Sequence, residues 1–98
     1  MRFYLKKENY RVLASIFKIS RGDRHIIRWE AFVHSMDALG FKYCKDKGTK
    51  RTFKPRRLEL QHNFKWHQGN LRPDLQDHMA VKLNEKFGWT GESFKKTE

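Results

Sequence analysis

At Gly40 the sequence changes period, and this constrains the fold of its 98 residues more than any other feature. Upstream, Trp29, Phe32, Val33, Met36 and Leu39 recur at the three- and four-residue spacing of one helix face. From Phe41 the period is two, with Phe41, Tyr43 and Lys45 on one side and Lys42 and Cys44 on the other. No linker separates the two patterns. Gly40 stands where a helix takes its left-handed terminal residue, so an amphipathic helix must turn directly into a strand.

The other elements are read the same way. Tyr10, Leu13 and Phe17 predict a first helix over residues 9–19 with Asn9 as its cap, and a polar break follows around Gly22. The second helix is expected over residues 27–39. Residues 46–50 form a hairpin loop through Gly48, and residues 51–54 a second strand that Pro55 ends. Residues 57–64 alternate, with Leu58, Leu60, His62 and Phe64 inward, and predict a third strand; residues 65–72 are then a connection. Pro73 opens the last helix, whose positive end suits Asp74 and Asp77. Its inner face runs through Leu75, His78, Met79, Lys82, Leu83 and Phe87 to a stop at Gly88, after which Trp89 and Phe94 fold back.

The order α, α, β, β, β, α predicts an α+β domain. A three-stranded antiparallel sheet carries helices packed on one face and leaves the other open. Residues 1–26 supply the N-terminal helix and its loop, 27–94 the sheet domain, and 95–98 a flexible tail.

Charge narrows the function. Twenty-two Lys and Arg against eleven Asp and Glu give a net +11. Residues 41–57 hold eight basic side chains against Asp46 alone, so +7 of that total sits in one strand-forming stretch. Such crowding is unfavourable unless an anion relieves it, and a nucleic acid is the commonest polyanion. Lys45, Lys47, Lys50, Arg51, Lys54, Arg56 and Arg57 are the candidate phosphate contacts. Gly48 and Thr49 allow close backbone approach at the hairpin, and Trp66 is an aromatic on which a base can stack. No stretch approaches the roughly 20 apolar residues of a membrane span. With no secretory signal and Cys44 as the only cysteine, the expected location is cytoplasm or nucleus, with no membrane partner.

Five histidines raise the question of metal and catalysis. His62 and His67, joined by Cys44 or His78, lack the paired close spacings of a structural zinc site. No metal and no cofactor is therefore expected. Cys44 has no neighbouring base in the strand pattern and reads as structural.

Several short motifs in order carry a resemblance. Trp29-x-x-Phe32-Val33-x-x-Met36, Gly40-Phe41, Gly48-Thr49-x-x-Thr52-Phe53, His62 with His67, and Leu83-x-x-x-Phe87-Gly88-Trp89 together resemble a fungal group of HicA-type toxin-like domains, over residues 27–94. The resemblance implies a fold like the double-stranded-RNA-binding domain, α-β-β-β-α, and an mRNA interferase ancestry. Bacterial members cut RNA with the histidine of a Gly-Ser-His triplet; the matching triplet here is Gly48-Thr49-Lys50. An ordinary lysine amine titrates roughly 4 pH units above imidazole and is a poor general base at neutral pH. The resemblance thus implies an RNA-binding module that has lost this cleavage route, with DNA as the other nucleic-acid ligand. Two alternatives stand beside it. One is an endoribonuclease of altered site using His62 or His67; the other is an interaction module for an acidic protein or a second copy of the chain.

Overall fold

The computed structural model describes residues 2–19 and 24–97. Its elements are β1 (Phe3–Leu5), α1 (Lys7–Ile16), α2 (Trp29–Leu39), β2 (Phe41–Lys45), β3 (Lys50–Pro55), β4 (Phe64–His67), α3 (Pro73–Phe87) and β5 (Phe94–Lys96). Strands β2, β3 and β4 form an antiparallel sheet in that order, and β1 pairs in parallel with β5. The architecture is α+β, with the expected three-stranded antiparallel sheet and three helices. Gly40 ends α2 in a left-handed conformation, φ 106°, and strand β2 begins at the next residue.

Strand register sorts the side chains. Tyr43 lies opposite Phe53 and Phe53 opposite Phe64, which sets three rings in a row across one sheet face. Their centroids are 5.4 and 6.4 Å apart. Helix α2 covers the row with Phe32, edge-on to Phe53 at 5.4 Å, and with Trp29, 5.9 Å from the same ring. Helix α3 adds Phe87, 5.4 Å from Phe41 and 6.3 Å from Phe64. From Phe87 the rings continue through Trp89 at 4.6 Å to Phe3, which stacks on Phe94. Trp89 and Phe94 do fold back, both buried. Each such pair adds about 0.5–1.5 kcal/mol beyond the area it buries.

Helix α1 is tied to this core by polar contacts, the Ser15–Gln76 bond among them buried. The Ser15 hydroxyl donates to Gln76 Oε1 at 2.5 Å, while Gln76 Nε2 donates to the carbonyls of His25 and Leu71. Arg24 donates to the Ser15 and Ile16 carbonyls at the end of α1 and to Asp77 Oδ1 at 2.5 Å. That guanidinium, with Lys18 beside it, holds the Asp77 carboxyl below the usual carboxylate range.

Several sequence expectations require correction. Residues 57–64 are not a strand: Leu58–Leu60 form a single 3-10 turn, Leu58 is 94% exposed, and Gln61 adopts a left-handed φ of 62°. The third strand is Phe64–His67, inside the segment read as a connection. The alternating leucines imitated a strand, but only Leu60 of the turn reaches the core. Asn9 is not a cap. It lies inside α1, buried, and its Oδ1 accepts from the Ser35 hydroxyl at 3.3 Å. Ile27 precedes α2 and makes an antiparallel bridge to Leu71, and the Trp29 amide donates to Asn70 Oδ1 at 3.0 Å, which starts the helix two residues later than expected. His78 and Lys82 point outward, with His78 against Trp66. Residues 95 and 96 belong to β5, opposite Tyr4 and Leu5, so the chain there is paired and not a tail. The break around Gly22 and the last residue of the tail lie outside the described residues.

Two outcomes are expected. Phe53→Ala, at the centre of the ring row, costs about 3–5 kcal/mol in chemical denaturation, whereas Leu58→Ala changes stability by about 0.5 kcal/mol or less. Asp77 titrates lower when folded than when unfolded, so its contribution is present above the ordinary aspartate range near about 3.9 and fades as pH falls through its folded value. Asp77→Asn should therefore lower stability at neutral pH and flatten its decline on acidification, read by thermal melts over an acid series.

Candidate nucleic-acid interface

Burying one face of a period-two sheet dictates what stands on the other. Opposite the ring row lie Lys42, Cys44, Lys50, Thr52, Lys54, Lys65 and His67. In register, Lys42 faces Lys54, Thr52 sits between Cys44 and Lys65, and Lys50 faces His67. The four lysines and His67 are exposed. From strand spacing and rise, the patch measures roughly 10 Å across three strands and 13 Å from Lys50 to Lys54.

Among the described residues, none of the four lysines, Lys42, Lys50, Lys54 and Lys65, is ion-paired. Asp46 accepts a hydrogen bond from the Thr52 hydroxyl. Lys42 and Lys54 are like charges directly opposite, a pairing that opposes sheet formation. An array of this kind becomes favourable when an anion lies across it.

Arg51 organises the hairpin beside the face. Although 9% exposed, its guanidinium lacks a carboxylate partner among the described residues and is held by neutral oxygens. It donates to the Gly48 and Lys50 carbonyls at 2.8 Å each, to the Tyr43 hydroxyl at 3.0 Å, and to Gln68 Oε1. The Tyr43 oxygen also accepts from Trp29 Nε1 at 3.1 Å. Arg51 thereby joins the hairpin tip, β4's exit and α2. Gly48, at φ 61°, makes the turn that brings the two tip carbonyls within reach of one fork.

The residues expected from sequence separate into groups. Lys50 and Lys54 stand on the open face, and Lys47, Gly48 and Thr49 form the exposed hairpin tip. Lys45 is exposed on the opposite side, facing Arg51 across β2 and β3. Arg56 reaches Asp37 Oδ1 at 3.0 Å and the carbonyls of Asp37 and Phe41. Arg57 pairs with Glu59 at 2.6 Å and lies over the Phe3 ring. Glu59's own backbone amide, with Arg57 adding to it, keeps that carboxyl below its ordinary range. Trp66 is on the covered side of the sheet, half-buried and stacked on Phe64 at 5.9 Å. His67 meets the hairpin, its Nδ1 3.3 Å from Thr49 Oγ1. His62 is apart, exposed in a cleft with Trp66 and Lys82.

Sequence reasoning passed over two lysines of the face. Period two already set Lys42 beside Cys44 and away from Phe41; Lys65 was hidden because its strand was read as a connection. Among the described residues, no three His, Cys, Asp or Glu side chains come together in a way that could hold a metal ion. No helix among them is long and apolar enough to cross a membrane. Compared with known proteins, the chain matches no family model, no curated protein and no solved structure.

Arg51→Lys keeps the charge and loses the fork. It is expected to cost about 2–3 kcal/mol in urea denaturation, while Lys50→Ala on the open face changes stability by about 0.5 kcal/mol or less.

Proposed function

We propose that this chain is a nucleic-acid-binding module that lays a sugar-phosphate backbone across the open face of its sheet, with RNA as the ligand. One observation carries the reading: Lys42, Lys50, Lys54 and Lys65 converge on one exposed face without a carboxylate partner among the described residues. Lys47, Gly48 and Thr49 extend that surface at the hairpin tip. The choice of RNA comes from the HicA-type resemblance, and the order α2-β2-β3-β4-α3 agrees with the double-stranded-RNA-binding order which that resemblance implies. Each phosphate neutralised releases counterions, so affinity is expected to fall steeply with salt. Replacing both Lys50 and Lys54 with Ala should reduce the slope of log affinity against log salt by about 2, one for each lost contact. Affinity indifferent to salt would refute the proposal.

A second reading draws on the contact between Thr49 and His67. The imidazole stands beside Lys50, within the triplet that resembles the HicA motif, where it is available to accept a 2′-hydroxyl proton while the lysine offsets phosphate charge. The binding reading expects labelled RNA to remain intact on prolonged incubation. Cleavage that survives chelators and disappears in His67→Ala would establish the nucleolytic reading instead.

A further inference from the structure

The lysine track does not stop at the sheet edge. Lys65 stands on the open face by register, and it also lines a cleft of about 390 Å³ between β4 and α3. That volume falls within the roughly 300–1,000 Å³ of small-molecule sites. Trp66 and Phe64 supply its apolar side, His62 lies at one end, and Lys82 and Lys86 project from consecutive turns of α3. Lys86 has no ion-pair partner among the described residues, and Lys82 has only a loose one, Glu85 at 3.8 Å, with both side chains about half exposed.

The Trp66 ring is fixed before any ligand arrives. It stacks on buried Phe64 at 5.9 Å with 15° between the planes and is braced by His78 at 5.6 Å. The other two tryptophans differ: Trp29 and Trp89 are 5% and 2% exposed and serve the core. An indole held at a cleft wall, with ammonium groups at the rim, suits a base on the ring and phosphates on the lysines. A base paired inside an A-form duplex must first unpair and unstack to reach this ring, a cost that an unpaired base avoids.

Resting on the reading of the open face as a phosphate surface, we infer that the cleft between β4 and α3 receives an unpaired nucleotide. Its base lies against Trp66, and its flanking phosphates lie on Lys65, Lys82 and Lys86. The ligand is then a single strand, or the loop or bulge of a structured RNA, and not a continuous duplex.

The test titrates the chain with a short labelled RNA, alone and annealed to its complement, following anisotropy and tryptophan emission. The single strand should bind more tightly and quench emission, because Trp66 is the tryptophan a base can reach. Trp66→Ala should weaken single-strand binding by roughly fivefold to a hundredfold, the range one stacked base supports, and change duplex binding by less than about twofold. Trp66→Phe should retain most of the affinity. Lys86→Ala, an exposed change that leaves the core alone, should weaken the single strand by roughly fivefold at low salt. Lys50→Ala with Lys54→Ala should weaken both forms. If that double variant matters while Trp66→Ala and Lys86→Ala do not, or if Trp66→Ala weakens strand and duplex alike, this inference falls and the open-face reading survives. If neither RNA binds, both fall together.

Discussion

Three rings, Tyr43, Phe53 and Phe64, lie side by side across the sheet, and the rest of the molecule is arranged around that row. Because side chains alternate along a strand, a slip of one residue in either pairing would turn the aromatics to water and the lysines into the core. The helices supply the other half of the constraint. Trp29 and Phe32 from α2 and Phe87 from α3 can meet the row only in this register. Arg51 reinforces it from the hairpin end, since its fork reaches the Gly48 and Lys50 carbonyls and the Tyr43 hydroxyl at once. The ring contacts run on through Trp89 to Phe3 and Phe94, where the two ends of the chain pair as parallel strands. Most of the fourteen aromatic residues are therefore core material, with Tyr4 exposed and Trp66 partly held back at a cleft.

The lysine face is the consequence of the same alternation. With the rings committed inward, Lys42, Lys50, Lys54 and Lys65 have nowhere to stand but the open side, and two of them oppose each other directly. That arrangement works against folding, which makes it informative: surface charge that only aids solubility does not need to be concentrated on one rigid face. The arginines of the same stretch behave differently. Arg51, Arg56 and Arg57 are occupied by carbonyls, hydroxyl and carboxylates of their own chain, as suits a planar fork with several fixed donors. The net +7 of residues 41–57 thus divides by chemistry: every lysine but Lys45 goes to the open face or hairpin tip, and the arginines go mainly to architecture.

Much of this was legible from local pattern. The helix ending at Gly40, the strand beginning at Phe41, the hairpin through Gly48 and the final helix from Pro73 to Phe87 each carry a strong periodic or terminating signal. What escaped depends on distant partners. Strands β1 and β5 are three residues each and exist because 90 residues of intervening chain bring Phe3 to Phe94. Leu58 and Leu60 spell a strand, yet the left-handed turn at Gln61 diverts the backbone, and the real third strand starts at Phe64. That displacement hid Lys65 and the neighbourhood of His67 and Thr49, which only pairing with β3 creates.

The most direct test of the central claim is lysine footprinting: brief amine acylation with and without RNA, read residue by residue by mass spectrometry. The account predicts protection at Lys42, Lys50, Lys54 and Lys65 while Lys7, Lys18 and Lys95, on other surfaces of the fold, react unchanged. Protection spread evenly over all lysines, or confined to those of α1 and β5, would contradict it.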